Sequence, residues 1–325
     1  MGAAAAAPKD LPFEVNVITS FDEPWALAFL PDGRMLVTEK KGNLLIVTQD
    51  GQKSGSLRGM PDVAYGGQGG LGDVALHPNF AQNHQVYLSY AESGPGNVRG
   101  AAVARAVLKE NPRGGGELSE FEVIWRQYPK VVGYGHYGHR LLFDKDGYLW
   151  ISSGDRQKFT PAQDMQANLG KVLRLRDDGS IPDDNPFVHY FDENPLVDDE
   201  GIYGQIWSLG HRNVLGLAFG LDGELWEIEM GPKGGDELNR IRAGEELRLS
   251  DRVQRRPLRR SCDPRPRHAP GIREARRLVD PGHLTRELDH LSRQSVLRLA
   301  RRCTGVRSLL QGNRARRSRR RRRRA

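Results

Sequence analysis

Residues 133–155 read GYGHYGHRLLFDKDGYLWISSGD, two apolar runs separated by an Asp-Gly pair. The pair at 146–147 predicts a tight β-hairpin turn, because glycine accepts positive φ without steric cost. The outer ends of a hairpin lie side by side, so we expect His136 and Asp155 to meet. A histidine oriented by a carboxylate is a recurrent general base, whereas the ordinary alternative is a loop histidine bonded to nearby groups.

The hairpin phrase is repeated along the chain. Three copies share a phenylalanine, an Asp-Gly turn and a following apolar pair, at 29–36, 143–150 and 219–226. A looser copy without the Asp-Gly turn covers residues 74–88. Short strands that recur at intervals of tens of residues are the signature of a β-propeller or a related array.

Polar residues recur at fixed positions relative to this phrase. His136 and Arg212 each stand seven residues before the phenylalanine of their copy, and Asp155 and Gly231 each stand six residues after the start of the second strand. In the looser copy, Gln68 falls within one residue of the position that His136 occupies in its own copy. Equivalent positions of propeller blades lie on one ring around the axis, so these residues are predicted to face one axial mouth.

Charge is divided unevenly along the chain. Residues 246–325 hold 26 of the 49 basic residues, all arginine, and 7 of the 41 acidic ones, a net charge of +19, whereas residues 1–245 carry −11. The basic part contains both cysteines but no Lys, Phe, Tyr or Trp. One hypothesis is therefore a non-enzymatic β-propeller binding module whose basic tail binds nucleic acid non-specifically.

The remaining patterns predict an all-β body over residues 13–245, since no segment shows long helical periodicity. Residues 13–19 alternate like a strand, and 169–176 alternate like an outer strand. Residues 92–120 are typical of an exposed loop that flanks one strand, and 177–201 of an acidic, solvated insertion. No run of about 18 apolar residues is present, so no membrane span is predicted.

Five motifs follow one another across residues 15–245: Q-G-G-L-G at 68–72, H-Y-G-H-R at 136–140, G-D at 154–155, G-H-R-N at 210–213 and E-M-G-P-K-G-G-D-E at 229–237. In this order and spacing they resemble the soluble PQQ-dependent aldose sugar dehydrogenases, the glucose/sorbosone dehydrogenase family. The resemblance implies a six-bladed β-propeller, of which about four blades are recognisable here. It also implies a periplasmic or secreted protein, with residues 1–12 as an N-terminal tail or the remnant of an export signal.

The resemblance implies oxidation of an aldose at the anomeric carbon to the lactone, with a hydride passing to PQQ and Ca²⁺ assisting. His136 would take the proton of the anomeric hydroxyl, and Asp155 would fix its tautomer. Arg212 would stabilise negative charge on the cofactor, and Asn213 would bond to the cofactor. Gln68 would hold a sugar hydroxyl.

The resemblance also implies that the backbone carbonyls of Gly231 and Pro232 hold the calcium ion. Hard cations are readily coordinated by such oxygens. The implied partners are a small-molecule aldose and a downstream electron acceptor. Gly135 stands where glucose-preferring members can carry a substrate-binding carboxylate, so the sugar preference stays open.

The resemblance ends at Glu245. With permitted codons, a frame shifted by one base converts G-E-E-L-R-L-S at 244–250 into G-E-N-Y-G-Y-P, which resembles the family. We therefore expect residues 246–325 to be out-of-frame translation and disordered. The enzyme would be impaired in this copy, because the closing blades and the basic residues that clamp PQQ would be absent.

We predict that removing one inserted base near the codons for Glu245 and Glu246 yields a longer reading frame rich in Trp, Tyr and Gly. The product of that frame is called the restored chain below. Resequencing the gene across this position is the measurement. A verified DNA sequence whose other frames carry early stops and no such peptide would contradict the frameshift.

Overall fold

A computed structural model describes residues 16–112, 114–190, 201–231 and 235–247. This part of the chain is built from fourteen β-strands, two α-helices of four residues each, α1 (Phe80–Asn83) and α2 (Ile202–Gln205), and two short 3-10 helices (Pro95–Asn97 and Thr160–Gln163). The prediction of an all-β body is therefore confirmed. Among the described residues, no helix is long and apolar enough to cross a membrane.

The strands form four antiparallel sheets, each made of consecutive strands. The first sheet contains β1 (Pro24–Phe29), β2 (Met35–Glu39) and β3 (Asn43–Val47). The second contains β4 (Leu71–Leu76), β5 (Gln85–Ser93), β6 (Arg99–Glu110) and β7 (Gly116–Arg126). The third contains β8 (Gly138–Phe143), β9 (Leu149–Ser153), β10 (Lys171–Leu175) and β11 (Ile206–Leu209), and the fourth β12 (Val214–Phe219), β13 (Leu225–Glu229) and β14 (Glu237–Ile241).

The repeated phrase forms the same hairpin in three of the sheets. Its phenylalanine pairs with the apolar residue that opens the next strand: Phe29 with Met35, Phe143 with Leu149, and Phe219 with Leu225. The Asp-Gly turns place glycine at φ between 82° and 90°, which an L-residue with a Cβ adopts only at a cost. The sequence repeat is thus a repeat of structure.

Neighbouring sheets pack face to face through separate cores. The first strands of successive sheets lie next to one another, in the order β1, β4, β8, β12. Strand β5 shows how the faces alternate, because Val86 and Leu88 face the core shared with the first sheet, whereas Tyr87 faces the core shared with the third. Trp150 and Leu225 belong to the core between the third and fourth sheets. This arrangement is that of a β-propeller, and the four recognisable blades are the four sheets.

Three predictions for the body were wrong. The strand expected at 101–108 is confirmed within β6, but much of the loop expected around it is strand as well, because glycine and glutamate there occupy paired positions of the β6–β7 hairpin. Strand β10 is not an outer strand but lies between β9 and β11, with all five residues buried. Residues 16–19 belong to no strand.

The predicted tail begins inside the described part of the chain. Glu246 forms a parallel bridge with Leu209, and Leu247 packs in the core between the third and fourth sheets. The amide of Leu247 donates to the carbonyl of Leu209 at 2.8 Å. Residues 1–15 and 248–325, and with them most of both predicted tails, lie outside the described residues.

Candidate active site

The two ends of the β8–β9 hairpin carry a buried histidine–carboxylate pair. Nδ1 of His136 lies 2.6 Å from Oδ1 of Asp155, and the two residues are 2% and 0% exposed. The same carboxylate oxygen accepts the backbone N–H of Gln157 at 2.8 Å, which fixes its position. With Nδ1–H donating to Asp155, the lone pair of His136 lies on Nε2.

The loops that carry this pair have an unusual backbone. Five residues other than glycine adopt positive φ between 52° and 75°: His136, His139, Arg156, Gln157 and Phe159. Each such residue costs about 1–3 kcal/mol and persists only where its surroundings hold it, and such residues cluster at functional sites. The concentration of these residues at the two hairpin ends is consistent with a functional site there.

Arg156 holds the loop before His136 in place. Its guanidinium donates to the carbonyls of Gly135 at 2.9 Å and of Gly133 at 2.6 Å, and it stacks on the ring of Tyr137 with 3.7 Å between guanidinium carbon and ring centre. Burial lowers the pKa of Arg156, because nearby water is replaced by protein. The sequence contains no motif that predicts this role, since the partners of Arg156 are backbone carbonyls.

Gln68 approaches the site from the second sheet. Its side-chain Oε1 accepts the backbone N–H of His136 at 2.6 Å, and the backbone N–H of Gln68 donates to the carbonyl of Tyr134 at 2.8 Å. The amide oxygen is therefore committed to the histidine loop. The Nε2 hydrogens are the part of this side chain that can bond to a ligand.

Arg212 and Asn213 extend the site toward the fourth sheet. The carbonyl of Arg212 accepts the N–H of Asp155 at 2.8 Å, and Nη1 of Arg212 donates to the carbonyl of Met230 at 2.6 Å. Nε of Arg212 is buried and has no hydrogen-bond partner among the described residues. Oδ1 of Asn213 accepts the N–H of Gly138 at 3.1 Å. Arg212 and Asn213 therefore join the loops of two sheets, and Nε of Arg212 is a cationic donor without a partner among the described residues.

A cavity of about 270 Å³ adjoins these groups, and its wall includes Lys40, Gln68, Tyr137, His139, Asn213 and Met230. Burial lowers the pKa of His139 to about 3, so this ring is neutral. His136 and Arg212 contact the wall through Gln68 and Met230, respectively. The cavity thus combines a cation, an aromatic ring and amides, which suit an anionic, planar ligand.

The predicted calcium ligands are only partly described. The N–H of Gly231 donates to Oδ1 of Asp236 at 3.0 Å, which closes the turn. A Cβ on Gly231 would lie 1.7 Å from the carbonyl oxygen of Gly235, so only glycine fits this position. Pro232 lies outside the described residues.

Sequence reasoning missed three buried groups behind Arg212. Oε2 of Glu229 accepts the N–H groups of Arg212 at 2.6 Å and of Asn213 at 3.3 Å. Burial raises the pKa of Glu229 and of Glu227 to about 8, and lowers that of His211 to about 4. The sequence signals were the presence of His211 and Glu229 in two of the quoted motifs, without a predicted role, and the alternation of both glutamates with Leu225 on one face of β13.

Residues 21–247 match the model of the Glucose / Sorbosone dehydrogenase family. Aldose sugar dehydrogenase YliI of Escherichia coli is 42% identical over 236 residues, which are 72% of this chain and 60% of that protein. Quinoprotein glucose dehydrogenase B of Acinetobacter calcoaceticus is 28% identical over 74% of this chain and 52% of its own length. The chain thus spans between half and two thirds of these relatives.

The fold is shared with solved structures of the same kind. The PQQ-bound form of aldose sugar dehydrogenase from Streptomyces coelicolor superposes with a TM-score of 0.61 at 31% identity, covering 71% of this chain and 63% of that one. The apo form of the soluble aldose sugar dehydrogenase of E. coli gives a TM-score of 0.62 at 41% identity, with 69% and 62% covered.

Proposed function

Since this chain belongs to the glucose/sorbosone dehydrogenase family, we propose that it oxidises an aldose at the anomeric carbon to the lactone, with PQQ and Ca²⁺ as cofactors. The observation that carries the proposal is the 2.6 Å contact between Nδ1 of His136 and Oδ1 of Asp155. A histidine fixed in this way keeps Nε2 as a base, and its backbone N–H is bonded to Gln68 of the cavity wall.

His136 would accept the proton of the anomeric hydroxyl at Nε2. Asp155 would stabilise the imidazolium that results, because its Oδ1 accepts the Nδ1–H bond and lies in a site without solvent exposure. Gln68 would orient the sugar with Nε2, since its Oε1 already accepts the N–H of His136. Arg156 would keep this geometry by holding the loop that precedes the histidine.

The described residues fit PQQ, a planar anion with three carboxylates. When bound, PQQ supplies the two-electron acceptor for the hydride of the anomeric carbon. Arg212 would stabilise negative charge on the cofactor, because its buried Nε is an N–H donor without a partner among the described residues. Asn213 would bond the cofactor through Nδ2, since its Oδ1 is already bonded to Gly138.

Calcium would be held by the carbonyl oxygens of Gly231 and Pro232 and would act as a Lewis acid. The tight turn that only glycine permits at 231 supports the proposal for that residue. A downstream electron acceptor would reoxidise the cofactor, and the location would be periplasmic or secreted as in a sugar-oxidising quinoprotein.

We expect the restored chain, loaded with PQQ and Ca²⁺, to reduce an artificial acceptor dye with one or more members of an aldose panel. The product should be the lactone, observed by NMR before it hydrolyses. Omission of PQQ is the control and should remove turnover. Dye reduction that does not depend on PQQ, or no turnover with any aldose, would contradict the proposal.

A further inference from the structure

His211, Glu227 and Glu229 form a buried cluster between the third and fourth sheets, behind the Arg212 loop. We propose that this cluster is a separate metal site for a divalent transition-metal ion, with Zn²⁺ as the best match. Its role would be to fix the fourth sheet and the Arg212–Asn213 loop. The proposal goes beyond the proposed function, and it concerns residues other than the predicted calcium ligands.

The three side chains are close enough to share one ion. One ligand atom from each lies within 4.8 Å of the others, and Nδ1 of His211 is 3.7 Å from Oε1 of Glu227. Ligand atoms about 2.1 Å from a tetrahedral zinc ion are about 3.4 Å apart. Only small side-chain movements would therefore bring the cluster to zinc-binding geometry.

The cluster contains acceptors that no donor satisfies. Nε2 of His211 is 2.8 Å from the hydroxyl of Ser208, whereas Nδ1 is buried and has no hydrogen-bond partner among the described residues. Oε2 of Glu227 is also buried without a partner there. With Nε2–H donating to Ser208, the cluster presents an imidazole lone pair and carboxylate oxygens to one another. Buried polar atoms are rarely left unpaired, and a cation would pair all of them at once.

Neighbouring cations do not supply that charge. Within the described ranges, neither Glu227 nor Glu229 forms an ion pair with a lysine or arginine. The nearby ammonium of Lys171 donates to three carbonyls, those of Pro161, Ala162 and Leu169. A divalent ion would balance the charge of two carboxylates, whereas the protein otherwise has to bury them protonated or uncompensated.

The ligand types favour a transition metal over calcium. Imidazole with carboxylates suits zinc and its neighbours, whereas Ca²⁺ takes six to eight oxygens. Hydrogen bonds from residues outside the cluster also orient the ligands, as they usually do in metal sites. Asn239 donates to Oε1 of Glu227 at 2.8 Å, and the Arg212 amide donates to Oε2 of Glu229 at 2.6 Å.

The test measures metal in the purified 325-residue chain by elemental analysis, after dialysis against a buffer that contains Ca²⁺ but no transition-metal ions. We expect about one zinc or other transition-metal ion per chain. Glu227→Gln and His211→Gln should each lower that content by about 10-fold or more, because a ligand is lost. Glu224→Gln is the matched control, since Glu224 lies next to the same strand, partly exposed, and pairs with Arg240 at 3.7 Å.

Thermal unfolding distinguishes a metal site from a cluster in which protonated glutamates take the place of the ion. Phenanthroline should lower the Tm of the parent by about 5 °C or more and leave that of Glu227→Gln unchanged, and added Zn²⁺ should reverse the loss. A parent without metal whose Tm does not respond to Zn²⁺ would overturn the proposal, as would a Glu227→Gln variant more stable than the parent. If the variants fail to fold, the parent's metal content and response to phenanthroline decide. None of these measurements involves PQQ or sugar, so the result is independent of the proposed activity.

Discussion

The 325-residue chain is expected to give no measurable dye-linked oxidation of any aldose, even with excess PQQ and Ca²⁺. Each of the three carboxylates of PQQ loses hydration on binding unless a charged donor replaces the water. Among the described residues, the cavity wall contributes one cation, Lys40, and Arg212 adds a guanidinium bonded to Met230, so the cations are fewer than the three carboxylates. The net charge of −11 on residues 1–245 further opposes an anionic cofactor.

The matched comparison is the restored chain, assayed with the same dye and the same aldoses. Deletion of residues 248–325, which keeps the core residue Leu247, should not rescue activity, because deletion supplies no further cofactor contacts. Robust PQQ-dependent turnover by the 325-residue chain would show that the family-matching residues 21–247 suffice, and the proposed impairment would be wrong.

In the restored chain, His136→Ala should lower kcat by about 100-fold or more while PQQ binding changes little. The substitution removes Nε2, the atom proposed to accept the sugar proton, and leaves the Asp155 carboxylate with its backbone donors. Stopped-flow dye reduction gives kcat, and titration of the apoprotein followed by absorbance gives the affinity for PQQ.

His84→Asn is the control for the loss of a histidine. His84 is exposed, lies outside the site and adopts φ of 52°, a conformation that asparagine tolerates. The His84→Asn variant should retain the activity of the parent. If His136→Ala kept activity within a few-fold of the parent, His136 would be a structural residue, and the base would have to be sought elsewhere in the cavity wall.

The hairpins could be predicted from the sequence because the Asp-Gly turn and the flanking apolar residues act locally. The same local signals placed His136 and Asp155 at adjoining ends of one hairpin, where the structure has them. The middle of strand β6 was predicted, whereas its ends and strand β7 were missed, because the glycine- and glutamate-rich ends of the two strands pair with each other, a contact that no local pattern reports.

Arg156, Glu227 and Glu229 could not be predicted, for a different reason. Each is a charged side chain at a buried position, and hydrophobic patterning assigns such residues to the surface. Their burial depends on partners that are distant in sequence, such as Arg99, whose carbonyl accepts Nη1 of Arg156 at 2.6 Å. Sites of this kind become visible only when hydrogen bonds and burial are considered together.

The sheets are each made from strands that follow one another in the chain, and this has a kinetic consequence. Every strand pair closes a loop between sequence neighbours, so the entropy lost in forming each sheet is modest. Such local topologies fold faster than sheets that join distant segments. The first sheet, complete by Val47, can therefore form on the ribosome while the segment that carries Arg212 is still untranslated.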